Sequence, residues 1–220
     1  MGVNEELLQN VNGYIENLFR LSDPVLEQCL EDADAAGLPP IQISSGHGKL
    51  LQLIARISGA RRILEIGTLG GYSAIWLARA LPVGGKLVTI EISAAHAEVA
   101  RKNLRRAGLE GVVEIRLGNA VEVLAAMRGE PPFDLIFIDA DKPGYVKYLD
   151  LAMKLARSGT VILADNLIWE GAVMEEMPED VNARAARAFN LAIAGRPELD
   201  STILPLFKEK LDGMSISVVR

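Results

Sequence analysis

From residue 61 onward the chain alternates short Val-, Ile- and Leu-rich runs with longer stretches of helical periodicity. No other feature limits its possible folds so strongly. Strand and helix in strict alternation build βαβ units, hence an α/β domain with a mostly parallel sheet. The runs predict strands near residues 62–66, 86–91, 112–117, 133–139 and 160–165, and helices near 72–80, 94–107, 119–128, 144–157 and 181–194. Two later runs, Ser201 to Leu206 and Met214 to Val219, are close enough to pair antiparallel at one edge. Residues 1–58 carry no strand signal and read as a helical cap belonging to the same domain as the core at 59–220. Pro24 suits a first helical turn, and Pro39-Pro40 break the chain. The stretch Ile41 to Gly48, ahead of an apolar helix, is the expected mobile gate.

A chain of 220 residues fits one such domain and buries roughly 70% of its unfolded surface. Half of it is hydrophobic and 24% charged, as in a packed globular protein. The net charge of -6 disfavours an unaided grip on nucleic acid, which needs a local cluster of Lys and Arg. Cys29 is the only cysteine, so neither an intrachain disulfide nor a cysteine metal site is possible. The N-terminus has no basic and apolar leader, and no stretch is long enough to span a membrane. A cytoplasmic location is the expectation.

The segment Ile63-Leu64-Glu65-Ile66-Gly67-Thr68-Leu69-Gly70-Gly71-Tyr72-Ser73 runs from a strand into a helix through three glycines, which lets a ligand approach bare backbone. Leu69 stands where a dinucleotide fingerprint needs glycine, and no Gly-Lys-Ser/Thr follows for a phosphate loop. Glu65 would repel a pyrophosphate but favour a cation. Glu91 ends the next strand, where a carboxylate can accept ribose hydroxyls. Acid, glycine turn and ribose acid together suit S-adenosylmethionine, which carries a sulfonium, an ammonium and an adenosine but no phosphate. Singly, each acid reads as readily as a solvated strand end.

Two further strands end in acids, Phe137-Ile138-Asp139-Ala140-Asp141-Lys142 and Val161-Ile162-Leu163-Ala164-Asp165-Asn166. If those strands are neighbours, their ends lie about 5 Å apart. Asp139, Asp165 and Asn166 then offer hard oxygen donors to Mg²⁺ or another divalent cation such as Mn²⁺ or Ca²⁺. Either aspartate alone reads better as a helix cap; the pairing, with Lys142 beside it, favours a site. Lys142 is the candidate base, against the usual fate of a lysine as a surface side chain.

These three motifs, in this order, resemble the cation-dependent class I S-adenosylmethionine O-methyltransferases that include the catechol and caffeoyl-CoA enzymes, especially small bacterial members. The resemblance covers the chain from about residue 41 to its end and includes Trp169 and Gly171 after the last acids. It implies a Rossmann-like, seven-stranded, mostly parallel sheet with its last strand antiparallel, helices on both faces, and a homodimer. It also implies roles. Ile43, Glu65, Gly67, Thr68, Ser73, Glu91, Ala120 and Asp141 would hold the cofactor; Asp139, Asp165 and Asn166 the metal; Lys142 would act as base, with Asp139 at the reacting centre. The acceptor would be a phenolic small molecule with vicinal hydroxyls.

Residues 170–182 form an acidic loop, which argues against coenzyme A as a handle. Relatives usually carry Gly-Asp-Gly before the last strand, whereas this chain has Lys208-Glu209-Lys210-Leu211-Asp212-Gly213, a departure with no functional reading from sequence. A tRNA hydroxyuridine methyltransferase and a catalytically silent cofactor-binding module are the rivals. The first needs a basic mouth, and the only dense cluster, Arg101, Lys102, Arg105 and Arg106, reads as a solvated helix face. His96 reads as exposed on that helix, and His47 as a solvent-facing turn residue.

Overall fold

The computed structural model describes residues 5–207 and 211–220. The charged turn Lys208-Glu209-Lys210 lies outside them. Three helices come first: α1 (Glu5–Phe19), α2 (Pro24–Ala35) and α3 (Ser45–Ile57). Asp23 starts α2 by accepting the amides of Val25 and Leu26, with Pro24 in the first turn where its missing N–H costs nothing. Of the segment expected to be a gate, only Ile41 to Ser44 are non-helical, because Ser44 caps α3 and Ser45 to Gly48 are already helical. A Cβ on Gly48 would sit 2.3 Å from the Trp76 ring, so this glycine serves close helix packing rather than mobility. His47 accordingly sits in a helix, not in a turn.

The alternating core follows the expected order: β1 (Arg62–Ile66), α4 (Tyr72–Ala78), β2 (Lys86–Glu91), α5 (Ala94–Arg106), β3 (Val113–Leu117), α6 (Ala120–Ala126), β4 (Leu135–Ile138), α7 (Tyr145–Ala152), β5 (Val161–Ala164) and α8 (Val181–Ala194). The chain ends with β6 (Leu199–Phe207) and β7 (Leu211–Val219), each longer than its apolar run. The seven strands run β3-β2-β1-β4-β5-β7-β6, and only β7 is antiparallel to the others. Pro205 lies in the edge strand β6, where a missing donor is tolerated. The hairpin is therefore an edge pair, but its second strand, not its first, joins β5.

Leu135 to Ile138 and Val161 to Ala164 are buried throughout, which is why they appear in sequence as unbroken apolar runs. Ile136 and Ile138 pack with Tyr145, Leu149 and Phe189 on one face; Phe137 and Leu163 pack with Leu51, Ile75 and Trp76 on the other. Strand order reverses direction at β1, which pairs with both β2 and β4. Such a switch point leaves a crevice at the carboxyl ends of the strands. Among the described residues no helix is long and apolar enough to cross a membrane.

Candidate active site

The sheet register aligns Ile90, Ile66, Ile138 and Ala164 across four neighbouring strands. The next residue of each strand therefore falls in one row: Glu91, Gly67, Asp139 and Asp165. A cavity of about 890 Å³ opens above this row. Of the residues given cofactor, metal or catalytic roles from the sequence, all but Glu65 and Asp165 line it. Those two are buried immediately behind its wall.

Gly67 makes the glycine half possible. Its φ is +101°, and a Cβ there would lie 2.1 Å from the carbonyl oxygen of Asp139. The amides of Thr68 and Leu69 point to Glu91 Oε2 at 3.2 and 2.8 Å, and Ser93 N donates to Oε1 at 2.8 Å. Glu91 thus shapes the turn as well as facing the cavity. His96 Nδ1 lies 3.6 Å from Glu91 Oε1 and lines the same cavity, so this partly exposed helix residue also borders the site, which its sequence reading did not include. Helix α5 starts at the crevice, where Ala94 and Ala95 are exposed and His96 is half-buried. Ile43 and Ala120 contribute apolar wall, and Ser73 lines the cavity from the first turn of α4.

Glu65 is fully buried on β1. Thr89 Oγ1 donates to its Oε2 at 2.6 Å and is itself 2.5 Å from Thr68 Oγ1. Burial pushes the carboxyl up to about 7, against hydroxyls of Thr89 and Ser73 that favour the charged form; Asp139 and Glu91 add repulsion. Its Oε1 has no hydrogen-bond partner. A buried acceptor left open in this way is costly unless a donor comes to it. The ammonium of an amino-acid moiety is such a donor.

At the other half, Lys142 Nζ spends its three donors on Asp139 Oδ1 (3.1 Å), the Ala140 carbonyl (3.1 Å) and the Tyr145 hydroxyl (2.8 Å). Asp165, next along the row, has its carboxyl pushed up by burial first and by Asp139 second. Two crowded carboxylates with an adjacent carboxamide fit a hard cation that would relieve both causes. Among the described residues no three His, Cys, Asp or Glu side chains form a metal cluster, so the donor set would be two aspartates and Asn166. Asp141 caps the turn after β4, bonded to Gly144 N and to the Tyr148 hydroxyl.

Leu69, Asn166, Trp169 and Glu170 all line the cavity with positive φ (49°, 59°, 49° and 53°). Non-glycine residues held there carry strain of about 1–3 kcal/mol each, which concentrates at functional sites. Trp169 Nε1 donates to Asn166 O at 2.8 Å, and the ring walls the cavity. Sequence reasoning missed Tyr145 and Asp212. Tyr145 lies one helical turn past Lys142, a spacing that was available as a signal. Asp212 lay unread in the departure before β7. The basic cluster on α5 is a salt-bridged face: Lys102 and Arg106 pair with Asp32, Arg101 with Glu98 and Arg105 with Glu110.

A family model described as O-methyltransferase matches residues 19–218, so the likeness reaches further toward the N-terminus than the motifs alone. The chain is 43% identical to a catechol O-methyltransferase of Niastella koreensis over 99% of this chain and 100% of that protein. It is 44% identical to a catechol O-methyltransferase of Mycobacterium tuberculosis, covering 96% of each. A crystal structure of an O-methyltransferase from Bacillus cereus in complex with SAH superimposes with a TM-score of 0.96 at 43% identity, covering 99% of this chain and 100% of that one. With a matching sheet, a donor pocket and a likeness that spans its whole length, this chain belongs to the family of S-adenosylmethionine-dependent O-methyltransferases.

Proposed function

We propose that the enzyme moves the methyl group of S-adenosylmethionine to one hydroxyl of a vicinal dihydroxy aromatic, with a divalent cation held by Asp139, Asp165 and Asn166. One observation carries this reading. A half-site suited to an ammonium and a ribose, and a half-site of oxygen donors beside a lysine, meet at one cavity along one row of strand ends, with Glu65 and Asp165 buried behind its wall. The catechol O-methyltransferase relatives supply the acceptor class.

Glu65, through its open Oε1, would accept from the donor's ammonium, and Glu91 from its ribose. Asp139, Asp165 and Asn166 would hold a divalent cation, whose Lewis acidity would make the acceptor's hydroxyl protons easier to remove. With Asp139 committed to such a site, Lys142 Nζ would be freed of the carboxylate it pairs with at 3.1 Å. Once the Lys142 ammonium has released one proton to solvent, its neutral amine takes the proton of the reacting hydroxyl; the oxygen attacks the sulfonium methyl in line, and the thioether departs. Ile43 and Trp169 keep water from the reacting groups. The protein's contribution is mainly alignment and ionisation, since the methyl is already activated.

A methyl-transfer assay over catechols, flavonoids, caffeoyl esters and hydroxyuridine tRNA, with Mg²⁺ or with excess EDTA, tests this directly. Transfer to a catechol that EDTA abolishes, together with loss of turnover but not of SAH binding in Asp139→Ala, is the expected result. Full activity in EDTA overturns the metal assignment. The expected homodimer is supported by α1, whose Leu7, Val11, Leu18 and Phe19 are 44–64% exposed. Sedimentation velocity measures it.

A further inference from the structure

We propose that Asp212 is a positioning residue that turns the carboxamide oxygen of Asn166 toward the cation site. The inference rests on the metal reading above and adds a residue to it. Asp212 Oδ2 accepts from Asn166 Nδ2 at 3.1 Å. An ionised carboxylate can only accept, so the NH₂ end of the Asn166 amide must face it. The carbonyl Oδ1 is the one atom of that side chain able to bind a cation, and it is left on the opposite side. The orientation of the amide therefore follows from the chemistry of its partner.

The second carboxylate oxygen holds the turn itself. Asp212 Oδ1 accepts from Ile168 N (3.0 Å), Trp169 N (3.3 Å) and Gly213 N (2.8 Å). Leu167 N donates in turn to Gly213 O at 2.9 Å. This clasp bridges two segments more than forty residues apart in sequence. It is needed because Asn166, Trp169 and Glu170 all hold positive φ, a conformation that persists only where surroundings impose it. Gly213 fits the same clasp, since a Cβ there would lie 2.6 Å from the Ile168 side chain. Asp212 also lines the cavity, so the clasp borders the reaction space. An asparagine at 212 could donate to Asn166 Oδ1 and so stabilise the amide with its NH₂ toward the cation.

The test is Mn²⁺ binding, read from the electron paramagnetic resonance of free aqueous Mn²⁺, for wild type, Asp212→Asn, Asn166→Ala and the double variant. SAH affinity and melting temperature are measured alongside. We expect Asp212→Asn to weaken Mn²⁺ binding roughly 10–100-fold, as for other residues that orient a ligand from behind. SAH affinity should stay unchanged, and Asp212→Asn should add no further loss in the Asn166→Ala background, because a residue acting through another is not additive with it. Wild-type Mn²⁺ affinity in Asp212→Asn, or additive losses in the double variant, overturns the inference. So does loss of SAH binding together with Mn²⁺ binding, which marks a general structural role. Should Asp212→Asn fail to fold, Asp212→Ser is read by the same measurements. Absence of Mn²⁺ binding by the wild type overturns the metal reading itself, and this inference with it.

Discussion

Tyr145 Oη lies 2.8 Å from Lys142 Nζ and is itself fully buried, with the Ile138 and Asp165 carbonyls at 3.3 and 3.1 Å to receive its proton. The phenol therefore fixes the amine relative to both metal-side strands at once. Burial raises the Tyr145 hydroxyl well above its ordinary value, with the surrounding aspartates adding to the effect, so it remains a neutral donor.

Tyr145→Phe keeps the ring, which packs edge-on against Phe189 at 5.4 Å, and removes only the hydroxyl. A hydrogen bond to a charged group contributes about 1.5–3 kcal/mol, so kcat should fall roughly 10–100-fold. The KM for S-adenosylmethionine should change little, because Tyr145 does not line the cavity. Steady-state kinetics with both substrates varied separates the two parameters.

Glu65 predicts a pH dependence of stability in the ligand-free protein. Its folded value of about 7 lies above its ordinary 4.5, so the folded state holds a proton that the unfolded state has released across that interval. Stability is therefore fully present below about 4.5 and falls as pH rises toward 7. Asp165, also raised, acts in the same direction. Carboxyls held low, such as Asp23 and Asp134, act only at more acid pH. Thermal melts from pH 5 to pH 7 should show the decline, and Glu65→Gln should make it shallower, leaving the share of Asp165. An identical slope in that variant would remove Glu65 as the source.

Gly67→Ala should damage both fold and site. Its Cβ would meet the Asp139 backbone at 2.1 Å, and backbone atoms of two paired strands cannot yield as a flexible side chain can. A cost of at least about 2 kcal/mol follows, or a melting temperature lower by roughly 4–8 °C. SAH binding should weaken strongly in the same variant. Differential scanning fluorimetry and calorimetric titration measure the two effects.

Much of the site was legible because a strand buried on both faces has a visible end. In Leu135 to Ile138 and Val161 to Ala164 the apolar run stops where the sheet stops, so Asp139 and Asp165 announce themselves as edge residues. Glu65 was legible as a charge inside an apolar run, though not the openness of its Oε1. Ser45 to Gly48 misled, because a glycine that admits the Trp76 ring looks in sequence like one that admits motion. His96 was not read as bordering the site because helical spacing gives a face but not what that face meets.

The order of strands and helices, the donor turn and the acidic strand ends were determined by the sequence alone, since each depends on residues adjacent in the chain. Only the tertiary structure decided that β1 lies between β2 and β4, which puts Glu91, Gly67 and Asp139 in one row. It also decided that β7 enters beside β5, which brings Asp212 to Asn166 from 46 residues away. Such pairings are set by which buried faces fit together across the whole domain, and no local pattern of side chains records them.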